Sequence, residues 1–359
     1  MLTRWLWPLD LPMLVKLASA ALLLVASQYH LWSRLSSGSV FDPEMPRAVV
    51  IAFNWAFGAI LLLAVFQLLL DLGTLVVAAV QRSRVSIPDT ARYAIAGVAS
   101  VLAAIGVWNA LRVPPIKDVE IAVPGLPRAF DGYRLIQLTD LHLSRLYPAS
   151  WASAVVEQTN AAGADLIVVT GDFIDGSVAN RRADIAPLAG LRAPDGVYAI
   201  PGNHEYFFSY DDWMRHLASL EFRMLPNAHA VLTRGDGRLV LAGVTDLSAP
   251  SVGRPGPDVA AALAGAPAGV PILLLDHQPK TARGNAARGV AVQLSGHTHG
   301  GMIRGLDRVV ARANDGFVSG MYPVGAMTLY VNNGTALWPG FALRLGVPSE
   351  LTRITLRTR

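Results

Sequence analysis

The run VAVQLSGHTHGG, Val290 to Gly301, decides how this chain is read. Five mostly apolar residues of strand type stop at a serine and a glycine. Two histidines, His297 and His299, then stand two apart among glycines. In an extended segment that spacing puts both imidazoles on one side. Glycines beside them let backbone or ligand approach closely. A polar loop that happens to hold imidazoles is the plain alternative, so the other histidines matter.

Working outward, four more pieces have the same form. They are Asp140-Leu-His142 after RLIQL, Gly171-Asp172-Phe-Ile-Asp175 after LIVVT, Gly202-Asn203-His204-Glu205 after VYAI, and Asp276-His277-Gln-Pro279 after ILLL. Five of the eight histidines fall in these pieces. His30, His216 and His229 lie in no such setting and read as incidental. Each piece alone has a bland explanation. Asp-x-His is commonly a hydrogen-bonded turn, and in GDFID Gly171 permits a bend while Asp172 can cap a helix. Five in succession, each where a strand ends, point to one site, because open α/β sheets bind ligands at that edge.

The donors are oxygen and nitrogen only. The chain contains no cysteine, so disulfides and thiolate sites are excluded. Two divalent cations about 3.5–4 Å apart need a shared anionic ligand and several neutral ones. Aspartate and imidazole supply both, and such a set suits Mn, Fe or Zn.

From Arg128 onward strand-like and helical runs alternate, which means an α/β layered domain. Helices are expected near Ala149–Ala162 and Asp211–Leu220. The first third differs. Hydrophobic residues make up 52% of the 359, and the mean hydropathy is +0.39. The excess lies in three segments. Pro12–Trp32 carries one charge, Lys16. Ala48–Leu70 has none over 23 residues, and Tyr93–Leu111 none over 19. About 20 apolar residues cross a bilayer as a helix, so about three spans are expected. Buried core helices of a soluble protein rarely run so long without charge. The first segment could also serve as a leader, but two further spans follow it. The second helix is expected to continue past Asp71. Residues 1–111 are thus read as transmembrane helices, 112–127 as a proline-rich linker with a short strand at VEIAV, and 128–359 as the catalytic domain.

Net charge is +4, and no dense Lys/Arg block argues for nucleic acid. No protein partner is legible. Arg82, Arg84 and Arg92 share one membrane face with the N-terminus. Arg34 and Arg47 share the other with the catalytic domain. The positive charges nearly balance, so the side is left open.

The order DxH, GDxxD, GNHE, HQP, GHTHGG resembles the calcineurin-like metallophosphoesterases, and more narrowly their bacterial membrane-anchored branch. The resemblance covers about Gly132 to Arg359. It implies a two-sheet α/β sandwich flanked by helices, preceded by an all-α membrane region in the cell (inner) membrane. It implies that Asp140, His142, Asp172 and His299 bind one metal. Asp172 would bridge, and Asn203, His277 and His297 would complete the second site. His204 would stabilise the transition state or protonate the leaving group. Asp175 matches a supporting position. Arg344, in NNGTALWPGFALRLG, would touch phosphate or support its loop. Met302 departs from the polar residue expected after GHTHGG.

The activity so implied is hydrolysis of a phosphodiester or phosphomonoester by a hydroxide held on two divalent metals. The membrane region makes a lipid-linked substrate the expectation. The runner-up is a pyrophosphatase acting on a nucleotide-diphosphate lipid precursor of the UDP-diacylglucosamine type. A reading of another class is a membrane-tethered protein that binds metals without catalysis. His204 argues against it.

Overall fold

A computed structural model describes residues 2–359 of the chain. It separates into two compact units. One holds the residues up to Ala110 together with Pro339–Leu345. The other holds Leu111–Trp338 and Gly346–Arg359.

The first unit is helical: α1 (Met13–Ser27), α2 (Tyr29–Ser37), α3 (Arg47–Gln81) and α4 (Asp89–Leu111). Two helices, α3 and α4, are each long and apolar enough to cross a membrane. The first apolar segment is not one straight helix. It breaks at Gln28, and α1 and α2 meet at 54°, so a third crossing exists only if this bent pair counts as one. As expected, α3 runs on past Asp71, for 35 residues in all. Asp71 is tolerated there because Arg4 pairs with it at 2.9 Å and Gln67 donates to it at 2.9 Å. Leu343 is buried in this unit against Gly58 and Gly106. A Cβ at Gly106 would lie 2.6 Å from Leu343 Cδ1, so only glycine admits the leucine.

The second unit contains β1 (Ile116–Val123), β2 (Arg134–Leu138), α5 (Ala149–Ala161), β3 (Leu166–Thr170), α6 (Val178–Ile185), β4 (Val197–Ile200), α7 (Asn203–Phe207), α8 (Tyr210–Ser219) and β5 (Arg223–Met224). It continues through β6 (Ala228–Arg234), β7 (Gly237–Gly243), α9 (Val259–Ala262), β8 (Ile272–Leu275), α10 (Ala282–Ala286), β9 (Val292–Ser295), α11 (Asp307–Ala313), β10 (Gly320–Val324), β11 (Met327–Val331) and β12 (Leu351–Thr358). The strands form two six-stranded sheets, ordered β1-β12-β2-β3-β4-β5 and β10-β11-β9-β8-β7-β6. This is the mixed α/β two-sheet architecture with flanking helices that the sequence implies. The strand near VEIAV is longer than expected. It begins at Ile116 and pairs along its whole length with β12, so half of the proline-rich stretch belongs to a sheet.

Period-two alternation builds the core. Leu239 and Leu241 of β7 join Leu166, Val168, Leu273 and Leu294 between the sheets. Val240 and Ala242, one residue out of phase, join Leu274 and Leu329 in a second cluster with Ala282 and Val259 from the helices. Strands β2, β3 and β4 are mutually parallel, as are β7, β8 and β9. Their C-terminal ends therefore share an edge within each sheet, and every candidate ligand follows one of those ends.

Asn54 of α3 tests how the helical unit is held. Its side chain is buried, donates to Pro339 O at 2.9 Å and accepts from Ala342 N–H at 2.6 Å. Asn54→Ala strands the Ala342 N–H, worth about 1–3 kcal/mol when left unpaired, while Pro339 O keeps the Tyr29 hydroxyl at 2.7 Å. Thermal unfolding of the full chain in detergent should register that loss. An unchanged midpoint would mean the segment is held by packing alone.

Candidate metal centre

The ligand loops turn sharply. Asp140, His142, Asp172, His297 and His299 all have positive φ, between 44° and 69°. The left-handed region is unfavourable for such residues by about 1–2 kcal/mol each. Neighbouring loops hold them there. Asp140 N–H donates to Gly171 O at 3.0 Å, and His142 N–H to Asp172 O at 3.1 Å. His297 N–H donates to the Asp140 carboxylate at 3.1 Å, and His204 N–H to Asp172 Oδ1 at 2.9 Å. Thr335 and Ala336 N–H donate to the carbonyls of Thr139 and Asp140 at 2.9 and 3.0 Å. The crowding explains two glycines. A Cβ at Gly202 would fall on the Asp172 carboxylate, and one at Gly296 on Thr139 and Asp140.

The turns bring all seven proposed ligands together in two overlapping sets. On one side His142 Nε2 and His299 Nε2 lie 3.9 and 3.6 Å from Asp140 Oδ1. On the other, Asn203 Oδ1 lies 3.1 Å from His277 Nε2 and 2.9 Å from His297 Nδ1. Asp172 reaches both. Its Oδ2 is 3.8 Å from His142 Nε2 and 3.2 Å from His277 Nε2. Three groupings of candidate donors follow: Asp140–His142–His299, His142–Asp172–His204 and Asp172–His277–His297.

The donor set fits divalent cations on structural grounds. His142 Nε2 is buried and has no hydrogen-bond partner among the described residues, yet it points at two carboxylates beyond hydrogen-bond range. Asp140, Asp172, Asp175 and Glu205 are all buried. So many carboxylates away from water require compensating positive charge. Second contacts fix the imidazoles. His277 Nδ1 lies 2.7 Å from Thr170 O, which can only accept, so Nδ1 carries the hydrogen and Nε2 is left as a donor of electrons. Asp175 holds two rings at once. Its Oδ2 is 3.0 Å from His142 Nδ1, and its Oδ1 is in contact with His204 Nδ1. This outer contact is what metal-binding histidines ordinarily need.

Electrostatics follow from burial. Burial disfavours a charged His204, but Asp172 and Asp175 outweigh it and raise the imidazole to about 9. Burial works against a charged His277, but Asp172 raises it well above its usual value, and burial, then that charge, push His297 down to about 4; a cation between them would take the place of the His277 proton. Burial works against ionised Asp172, yet His277 and His204 beside it hold its carboxyl well below the usual range.

Glu205 has a role that the motif reading misses. Its carboxylate accepts from the backbone N–H groups of Gly202 at 2.6 Å, Phe173 at 2.8 Å and Asp172 at 3.1 Å. It thereby ties the GDFID loop to the GNHE turn. Burial and the nearby Asp172 push its carboxyl up to about 7. The signal was present, since Glu205 is the acid three residues after the N-cap Gly202, placed to accept from its N–H as the acid of a capping box does. Arg344 behaves otherwise. It belongs to the helical unit, where its backbone N–H donates to Gly106 O at 3.0 Å and its carbonyl accepts from Asn109 at 3.3 Å. Met302 has φ 61° and begins the exposed segment after the ligands. His229 is engaged with Ala262 O at 2.7 Å, and His216 packs on Trp213.

Sheets ending in an oxygen–nitrogen cage with one shared aspartate define a metal-dependent phosphoester hydrolase class. The calcineurin-like phosphoesterase family matches residues 133–301. The uncharacterized metallophosphoesterase YkuE of Bacillus subtilis is 30% identical over 241 residues, covering 65% of this chain and 82% of that protein. A transmembrane protein with metallophosphoesterase domain from Danio rerio is 35% identical over 269 residues, or 72% of this chain. The chain spans 61% of that vertebrate relative's length. The chain belongs to the calcineurin-like metallophosphoesterases.

Glu205→Gln leaves a single acceptor oxygen for three N–H groups. Supporting contacts of this kind are typically worth about 10–100-fold in metal affinity. Manganese titration of stripped protein, followed calorimetrically, should show a loss of that order. Unchanged affinity would mean that the two loops hold their shape without Glu205.

Proposed function

We propose that the chain is a membrane-anchored hydrolase of phosphodiesters or phosphomonoesters, working with two divalent cations of the Mn, Fe or Zn kind. The observation that carries this reading is Asp172, whose single carboxylate is within reach of both donor sets. Asp140, His142 and His299 would hold one cation, Asn203, His277 and His297 the other, with Asp172 between them. When bound, such a pair supplies Lewis-acid activation of water and neutralises charge developing at phosphorus.

The chain's own residues do the rest. Asp140, His142, Asp175, Glu205 and His277 are fully buried, whereas Asn203, His204 and His299 keep 6–8% exposure. His297 is only partly buried. The cage is therefore open along one side, and the phosphoester approaches there. Asp175 grips His204 by Nδ1 and leaves Nε2 on the side of Asp172, 3.9 Å from its carboxylate. From that position Nε2 can donate a proton to the leaving oxygen or stabilise charge on the phosphoryl group.

Helices α3 and α4, and a relative whose name includes "transmembrane", support an anchor in a bilayer. We read this as the bacterial membrane-anchored branch, multi-pass in the inner membrane. Such anchoring favours an amphiphilic, lipid-linked phosphoester as substrate.

Elemental analysis of manganese-soaked protein should find about two cations per chain. Asp172→Asn should weaken both sites and reduce turnover more than loss of any single ligand imidazole. Near-normal activity in Asp172→Asn, with His297→Ala inactive, would remove the shared-ligand assignment.

His204→Asn is expected to keep both cations and lower turnover by about 10²–10⁴-fold, the usual worth of a general acid. The deficit should shrink with a nitrophenolate leaving group, which hardly needs a proton. Equal deficits for good and poor leaving groups would assign His204 to charge stabilisation. Loss of metal would make it a ligand.

A further inference from the structure

The segment directly after the metal ligands, MIRGLDRVVARA, Met302 to Ala313, takes no part in the chemistry above. It has an unusual surface for a globular domain. Helix α11 buries none of its residues. Leu306 is 42% and Val309 62% exposed, and Ala313 is exposed beside a half-buried Val310. At about 3.6 residues per turn these four share one side of the helix. Arg308 and Arg312, one turn apart, share another side. Both arginines are exposed, and neither has a hydrogen-bond or ion-pair partner among the described residues. The nearest acid in sequence, Asp307, accepts from Gly305 N–H at 2.6 Å. Arg304 extends the basic side, with its guanidinium 3.1 Å from Gly346 O.

This segment is also fixed to the metal loop. Gly301 has φ 78°, and a Cβ there would overlap the Asp307 backbone. The first turn of α11 is thus pressed against the His299–Gly301 turn.

We infer that Met302–Ala313 is an interfacial segment of the second unit, and that its occupant is an anionic phospholipid surface. The argument is complementarity. An apolar side flanked by unpaired arginines suits the boundary where acyl chains begin and lipid phosphates lie. Leu306 and Val309 would enter the apolar layer while Arg308 and Arg312 engage phosphates above it. The inference rests on the reading that the helices cross a bilayer, and it adds a second, separate contact with that bilayer.

The absence of cysteine makes a direct test simple. Val309→Cys in the full chain is labelled with an environment-sensitive fluorophore and placed in phosphatidylcholine–phosphatidylglycerol nanodiscs. The expected result is a blue shift relative to detergent and loss of emission when nitroxide-labelled lipids are included. Adding Arg308→Glu and Arg312→Glu should reverse both, and raised salt should weaken them. The same pair of substitutions without the label should leave hydrolysis of a soluble chromogenic phosphodiester intact, which shows that the fold survives.

A water-like spectrum in the discs would overturn the inference. So would a blue shift that nitroxide lipids do not quench, since that marks a protein neighbour. Equal quenching in pure phosphatidylcholine, unaffected by the glutamates, would overturn the anionic surface. Failure of the protein to enter nanodiscs at all would overturn both this inference and the anchoring on which it rests.

Discussion

The structure depends on one buried carboxylate being used twice. Asp172 Oδ2 lies within 4 Å of His142 and His277, which belong to different strand ends and different sheets. Asp172 Oδ1 meanwhile accepts from His204 N–H. An isolated carboxylate at such depth would bind a proton before it would stay charged. Here it stays charged because imidazoles and a backbone donor surround it, and the divalent cations its donor set fits would add to them. That requirement fixes how far apart the two sheets can stand at this edge.

The same requirement accounts for the strained backbone. Five ligand residues at positive φ, at about 1–2 kcal/mol each, amount to a sum of the same order as the net stability of a whole domain, about 5–15 kcal/mol. Such strain persists only where surrounding structure over-determines it. The over-determination is visible in the bonds between GDFID and DLH, in Glu205 across three N–H groups, and in Thr335 and Ala336 closing over Thr139 and Asp140. The cage that would hold divalent cations is thus shaped by the protein's own bonds.

How much of this was legible follows from what is local. Apolar runs ending in Asp, Asn and His located the strand ends, because alternation and turn chemistry are properties of a few adjacent residues. The ligand set was legible through its family pattern. The role of Glu205 is not visible in GNHE, since its partners at Asp172 and Phe173 lie more than thirty residues away. The break at Gln28 falls at the polar residues Ser27, Gln28 and His30, which a reading by charge alone passes over. Only the VEIAV part of strand β1 was legible; residues 116–118 looked like linker because prolines precede them, and the pairing partner β12 is at the other end of the chain. Asn54 is one of two amides, with Gln67, in the uncharged span Ala48–Leu70. Its reason is the backbone of Pro339 and Ala342, nearly 300 positions later.

The order of residues along the last ligand loop gives the functional reading a physical form. His297 and His299 lie on the open side of the cage, and Gly301 then allows the chain to fold back so that α11 rests on the loop. An amphipathic surface is thereby held within a few residues of the ligands by rigid packing. A lipid-linked phosphoester has its reactive group at head-group depth and its tails below. An enzyme acting on it must bring a charged cage to that depth without pulling the substrate free. On the inference drawn above, a basic, apolar-sided helix fixed to the rim would do this by letting the cage approach the bilayer surface. On this reading the distance between metals and lipid is set by the short chain from His299 to Val309, and substrates are selected by where their phosphorus lies as well as by its chemistry.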